Sequence, residues 1–488
     1  MADKPQFDVA VVGAGIGGLT TACLVARTGR SVILLERAEQ AGGVCRPLVH
    51  EGMRFDLGPS FLSGLQPGEP VGMLCQRLGL ELRTTPCEPP FQVVLPQHRL
   101  SLFTTPQAWA REVRRECPGE EAAWGTLWAE LDALEAERNR LRQILPPLPP
   151  RDWRDRLRLW WRAGSRGGKL RQAMGTPFQA TVDRHGLGAI ARRILEACLW
   201  FLALRRPEEC STLEAMRALQ PLRRRALSLP GGAGALVDAL VTRLERDGGQ
   251  LRLGTAVDHL LVERASVHGV VTAGQETIRA RAVVTDIPPT DLTPGLLPER
   301  RGFLRRSGTL GGPWQAEIGT QMMALALPGS EVPSALSGHC FVVRRPAEEA
   351  SNENLCIVRL SPLPAGGAAD GLRVLTVSRF LGGEARGREG DPSGELFAAL
   401  EELIPGVRER AVSPQLFGPA ALGELWGRPA GAVRYAPESP DWLGQRGATH
   451  QVGWPGLFVV GDWTFPGRLI VDVVEGATEV ADTIIGTL

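Results

Sequence analysis

Lysine is almost missing from this chain: only two of its 55 basic residues are lysines, Lys4 and Lys169, and the rest are arginines. We read that bias mainly as genomic base composition, yet it removes lysine from nearly every position where it does chemistry. Tyrosine occurs once, at Tyr435. An excess of charge of one sign is absent too, with a formal net charge of +1, so no global field favours nucleic acid or an acidic partner. The nine cysteines follow no regular spacing, with no C-x-x-C and no Cys/His ligand pattern. Reduced thiols in a cytoplasm are expected, and no metal site. The longest apolar run, 197–204, is too short to span a bilayer. Strand-type residues begin by Phe7, which leaves no room for a cleavable signal.

What is present is a dinucleotide fingerprint in its full context. The run Phe7-Asp8-Val9-Ala10-Val11-Val12 leads into Gly13-Ala14-Gly15-Ile16-Gly17-Gly18. A helix-compatible stretch, 19–28, follows, then a second apolar run, 31–35, that ends at Glu36. Gly13 makes the tight turn, Gly15 admits a pyrophosphate to backbone N–H groups, and Gly18 lets helix and sheet pack closely. The helix N-terminus carries the pyrophosphate, and Glu36 accepts from ribose hydroxyls. Gly42-Gly43 suit the further close approaches that a longer cofactor, FAD, requires. The late run Leu457-Phe458-Val459-Val460-Gly461-Asp462 is a strand ending in Gly-Asp, with the carboxylate placed for ribitol hydroxyls. A helix over 471–485 would aim its N-terminal N–H groups at the flavin N1/C2=O edge. With Ile16, Gly17, Arg37, Val44, Val473 and Val474 beside them, these residues form the expected cofactor-binding set.

On these motifs the chain resembles the FAD-dependent phytoene desaturases, carotenoid isomerases, retinol saturase and flavin amine oxidases. Phe55-Asp56-Leu57-Gly58-Pro59-Ser60 is similar to the FD-x-G-x-[ST] stretch of the desaturase branch. The segment 229–240, running on to Gly248-Gly249 and Val257, is similar to the return into the FAD domain, and the resemblance implies that Val257 contacts the adenine through its backbone. Phe465-Pro466-Gly467 resembles the isomerase and saturase ending, while Glu475-Gly476-Ala477 resembles the amine-oxidase ending. One departure stands out: the branch usually reads FPGQG, and here Arg468-Leu469 follow instead.

The resemblance implies an α/β chain, a Rossmann-like FAD domain of glutathione-reductase type interleaved with a mixed α+β substrate domain. Residues 1–62, 227–290 and 448–488 are assigned to the first, 63–226 and 291–447 to the second. Trp124, Leu127, Trp128, Leu131 and Leu134 recur at helical spacing until Pro146-Pro147. The runs 356–360 and 372–377 predict strands, and 420–435 and 365–370 read as loops. Gly231-Gly232-Ala233-Gly234 is a helix-entry turn, lacking the strand and acid of a nicotinamide site. Reoxidation is therefore left to oxygen, a quinone or another diffusible acceptor.

The segment near 151–171 mixes Trp153, Trp160 and Trp161 with Arg151, Arg154, Arg156, Arg158, Arg162, Arg166, Lys169 and Arg171. Two readings stand on sequence alone. It docks the protein at the inner face of a membrane, with indoles at headgroup level, or it is a solvated basic helix whose tryptophans pack inward.

The substrate expected is a carotenoid or other isoprenoid, desaturated, saturated or isomerised by hydride transfer at flavin N5. Many amine oxidases hold a water near N5 with a lysine and cage the amine between aromatics. Neither lysine here falls in the second insertion, where that residue would lie. Glu475 and Asp472, neighbours on one helix face, are candidate proton acceptors, each also readable as a structural residue. Cys45 either lines the flavin or is an inert buried thiol, and Arg428 and Tyr435 are placed to reach the pocket. Two alternatives remain: a flavin oxidase of amines or other small polar substrates, and a prenyl-binding carrier without redox chemistry.

Overall fold

The first apolar run forms the strand Phe7–Val12, with Val9, Ala10 and Val11 fully buried. A run buried on both faces belongs in the middle of a parallel sheet, and that is its place. It pairs in parallel with Val32–Leu35 on one side and Thr277–Thr285 on the other. Gln250–Arg252 and Leu457–Val459 extend the parallel set at its two ends. Val257–Glu263 and Ser266–Thr272 add an antiparallel meander that leads into Thr277–Thr285. Strands of one sheet thus come from the beginning, middle and end of the chain. The computed structural model describes residues 6–59, 62–145, 148–150, 153–223, 226–297, 314–361, 371–383, 393–436 and 441–488.

The helix Ile16–Ala26 is buried along its whole length, packed against Ile470–Thr487 and Gly234–Arg246. Gly18 permits the strand-to-helix turn: a Cβ there would sit 2.1 Å from the Gly13 carbonyl oxygen. Leu19 lies at the centre of this packing with no exposure, and its truncation to Ala would cost about 2–5 kcal/mol.

A second, eight-stranded sheet runs Val412–Phe417, Gln315–Pro328, Leu372–Gly382, Leu355–Leu360, His339–Val343, Phe91–Leu95 and His98–Leu102, with Arg434–Ala436 also paired to Gln315–Pro328. The predicted strands at 356–360 and 372–377 lie side by side within it, antiparallel. Helices pack on both of its faces, Ser393–Glu401 on one and a larger group on the other. Among them, Glu121–Arg142 buries Trp124, Leu127, Trp128, Leu131 and Leu134, as their spacing requires. Its expected stop, Pro146-Pro147, and the expected loop at 365–370 lie outside the described residues, as does Ser60 of the FD-x-G-x-[ST] stretch.

The expected loop at 420–435 is not one. Pro419–Trp426 is a helix, begun by Pro419 in the first turn and ended by Gly427 at φ +66°. Leu422 and Trp426, four apart, hold its buried face. The glycines and prolines that suggested a loop cap the helix and its successor turn. No described helix is long and apolar enough to cross a membrane.

Candidate active site

Three strand ends converge on the glycine loop. Gly13 adopts φ +98°, and a Cβ on it would lie 2.6 Å from the carbonyl oxygen of Asp286, the residue that follows Thr277–Thr285. A Cβ on Gly15 would lie 2.5 Å from the Asp286 carboxylate, and one on Gly17 3.2 Å from the Gly461 nitrogen. Only glycine fits a loop laid this closely over two neighbouring strand ends. Asp286 accepts a hydrogen bond from the Gly18 N–H at 2.8 Å. Burial raises the Asp286 carboxyl to about 7. The Gly18 N–H and Arg428 oppose the rise; Asp462 and Glu36 add to it.

Glu36 closes the second strand with its carboxylate fixed in place. It accepts from the Ala14 N–H at 2.8 Å and the Ala38 N–H at 2.9 Å. Two backbone donors hold the side chain against the glycine loop, with acceptor capacity left for ribose hydroxyls. Asp462 meets Arg428 through two contacts, 2.5 and 3.1 Å. Burial works against the Arg428 charge, but Asp462, Tyr435 and Asp286 outweigh it and hold the guanidinium above its ordinary value.

A cavity of about 360 Å³ runs between the two sheets along these residues. Gly13, Gly15, Ile16, Gly17, Glu36, Arg37, Gly42, Gly43, Val44, Val257, Gly461, Asp462 and Val473 line it. Gly18 lies behind the loop. Val474 does not line the cavity; it is fully buried in the core of the first sheet. Helical geometry gives the reason, since Val473 and Val474 are adjacent and so face different directions. Cys45 lines the cavity, and burial pushes its thiol up to about 12, so it stays protonated and unreactive. The loop N–H groups at a helix N-terminus, the anchored Glu36, and the pair Arg37 and Arg428 fit a dinucleotide with its pyrophosphate on the loop.

The wall supplied by the second sheet was not legible in the sequence. Met322, Arg359, Ser378 and Phe380 come from its central strands, and Phe201 joins them from a helix. Phe201 stacks near Phe341 at 4.9 Å and Phe380 at 6.3 Å between ring centroids. Arg359 donates to the carbonyls of Gly58 and Leu57, tying the Phe55-Asp56-Leu57-Gly58 stretch to the sheet. Asp286 was also missed. Its signal was there: Val283-Val284-Thr285-Asp286 is an apolar strand ending in an acid, like Val459-Val460-Gly461-Asp462.

A second cavity, of about 260 Å³, meets the first at Ser63, Val433, Asp462, Arg468 and Leu469. Asp472 and Glu475 both line it, as do Tyr435, Trp314 and Trp463. The Asp472 carboxylate accepts from the Leu469 N–H at 3.3 Å, capping the last helix, and lies 3.6 Å from Arg217. Burial, and secondarily the nearby Glu475, raises its carboxyl to about 6, while Arg217 pulls it down. Glu475 accepts from Arg142 at 3.0 Å. Each carboxylate therefore has a visible structural task beside any role in proton transfer.

Comparison with known proteins agrees with this geometry. The family model described as flavin containing amine oxidoreductase matches residues 16–310. A neurosporene-forming phytoene desaturase of Cereibacter sphaeroides is 24% identical over 96% of this chain and 93% of its own. The all-trans-retinol 13,14-reductase of Danio rerio is 33% identical over 24% of this chain, a match spanning only 20% of that protein. Among solved structures, an oxidoreductase from Methanosarcina mazei superposes with a TM-score of 0.65 at 16% identity, covering 97% of this chain and 99% of that one.

Proposed function

The chain belongs to the flavin containing amine oxidoreductase family and is an FAD-dependent oxidoreductase; from that premise we propose that it acts on a C–C or C=C bond of a long apolar substrate, a carotenoid or other isoprenoid. The supporting observation is the junction of the two cavities. A chamber opens onto the end of the cofactor site where Phe201, Phe380 and Met322 offer an apolar, aromatic wall, and no lysine lies in that region of the sequence. The desaturase named above is matched along nearly its whole length, which supports the same reading.

In this reading Gly13, Gly15, Gly17 and the helix N-terminus hold the pyrophosphate, Glu36 the adenosine ribose, Val257 the adenine and Asp462 the ribitol. Bound FAD would supply a hydride acceptor or donor. The aromatic wall orients the chain for that transfer, which accounts for most of the rate. Desaturation removes a hydride from one carbon and a proton from its neighbour; saturation adds both. Asp472 and Glu475 are carboxylates of the chamber available to receive or give that proton; oxygen or a quinone would restore the oxidised flavin after desaturation, and saturation would need an electron donor to reduce the flavin beforehand.

Delivery of such a substrate suits the helix Trp153–Arg166. Trp153, Leu157 and Trp161 recur every four residues and are 68, 53 and 75% exposed. An exposed Trp/Leu stripe flanked by Arg154 and Arg158 fits a lipid interface better than bulk water. Arg151 and the side chains of Arg156, Trp160, Arg162 and Arg166 lie outside the described residues. A second reading, oxidation of an amine, is favoured only by the Trp314 and Trp463 rings, edge to face at 5.6 Å on the chamber wall. Incubation with polyenes and isoprenoids, once with a quinone and once with the flavin photoreduced, followed by mass analysis, decides the matter. A product differing by one pair of hydrogens, or an isomer, is expected; unchanged substrate across the panel contradicts the proposal.

A further inference from the structure

A pure hydrocarbon would not select the walls of the second cavity. Arg205, Arg217, Arg446 and Arg468 line it. Arg205 and Arg446 share a single carboxylate, Glu214, at 3.0 and 3.1 Å. Arg217 stands 3.6 Å from Asp472, and its Nε–H is buried without a hydrogen-bond partner. Arg468 gives one N–H to the Phe201 carbonyl, and its Nε–H is likewise buried and unpartnered. Among the described residues no carboxylate lies within ion-pair distance of Arg468. Burial lowers Arg468 to about 10, which still leaves it a cation at neutral pH. Those Nε–H groups have almost no accessible surface, so a ligand in the chamber would meet the outer guanidinium nitrogens.

Arg468 also lines the cofactor cavity, on the side of Phe201 and Phe380. One end of the reaction chamber is thus apolar and aromatic, the other is lined by five arginines and five carboxylates among the described residues, and Arg468 stands between them. This is the position at which the sequence departs from the FPGQG pattern. The acids of these walls, Glu69, Glu214, Asp462, Asp472 and Glu475, would repel a head bearing several negative charges. A single charge suits Arg468, which lines both cavities and has no carboxylate at ion-pair distance among the described residues.

Resting on the reading of the site as one for an apolar chain, we propose that the substrate is an amphiphile: its single carboxylate head binds in the chamber at Arg468 and Arg217, and its apolar chain extends along Phe201 and Phe380 toward the flavin.

The test titrates the FAD-loaded protein with all-trans-retinoic acid, all-trans-retinol, β-carotene in detergent and geranylgeranyl diphosphate, following perturbation of the flavin absorbance. The acid should bind about thirty-fold more tightly than the alcohol, the ratio expected of one charge-assisted contact. Arg468→Met and Arg217→Gln should each remove most of that preference while changing retinol affinity less than about threefold. Arg468→Lys should restore part of it. Equal affinity for acid and alcohol in the wild type overturns the proposal, as does tighter binding of the diphosphate or parallel loss of both ligands in the variants. In those cases binding of retinol or β-carotene still upholds the apolar-chain reading. If no polyene perturbs the flavin, that reading falls and this one with it. Should Arg468→Met fail to retain FAD, the wild-type ratio and Arg217→Gln decide.

Discussion

Asp286 stands where three strand ends meet, and its carboxylate accepts from the Gly18 N–H. The folded protein holds a proton there up to about pH 7, whereas an unfolded chain releases it near the ordinary value of 3.8. The folded state therefore binds the extra proton between those limits, and this group's contribution to stability falls as pH rises across that window. Asp56 and Asp472, each raised to about 6 chiefly by burial, act in the same direction. Asp286→Asn keeps an acceptor for the Gly18 N–H and removes the titration. Urea unfolding of FAD-stripped protein should find the variant more stable than wild type by roughly 2–4 kcal/mol at about pH 8, with the gap narrowing through about pH 5 and closing only below about pH 4. A gap that does not depend on pH would assign the effect to packing. Glu36 gives a second test at this scale. The purified protein should be yellow and release its FAD on heating, because the one cysteine in the cofactor cavity, Cys45, is a buried thiol. Glu36→Ala should raise the FAD dissociation constant about tenfold or more, since each charge-assisted ribose bond contributes roughly 1.5–3 kcal/mol; equilibrium dialysis reads it directly. Unchanged retention would remove Glu36 from the site.

At the level of elements, the legible parts of the chain were those governed by local sequence. The glycine loop, Glu36 and the Gly461-Asp462 strand end could be placed because turn chemistry and period are written in neighbouring residues. The helix Pro419–Trp426 was hidden because its glycines and prolines signal a break without saying on which side the helix lies. Asp286, Arg359, Phe201 and Phe380 were hidden for a different reason. Asp286 reaches the cavity through strands far apart in sequence, Arg359 and Phe380 from a second sheet and Phe201 from a helix, which no local pattern reports. Domain limits at 1–62, 227–290 and 448–488, drawn from the sequence, remain our proposal; every strand of the first sheet lies inside them. The helix Trp153–Arg166 carries its own prediction. Replacing Trp153, Leu157 and Trp161 by Ser should leave the FAD spectrum intact and weaken flotation with anionic liposomes. Salt should weaken the wild type as well, because headgroup attraction is screened within about 8–10 Å. Equal flotation of both proteins would make this stripe an ordinary surface.

Across the whole molecule, one sheet presents a dinucleotide loop and the other a wall of Phe, Met and Arg, with the cofactor cavity between them. Family membership and FAD follow from the first half of that arrangement; the choice of substrate rests on the second. The amine and apolar-chain readings differ in what must sit at the flavin edge. An amine needs a polar, water-holding site, and the chain brings no lysine there. The carrier reading falls with assignment to a flavin oxidoreductase family. The most direct measurement is anaerobic stopped-flow of the FAD-loaded protein against amines, amino acids, polyenes and polyene carboxylates, run with oxidised flavin and again after photoreduction. The flavin should change redox state with at least one polyene or polyene acid and stay unchanged with every amine and amino acid. Rapid bleaching by an amine, with polyenes silent in both directions, would contradict the account.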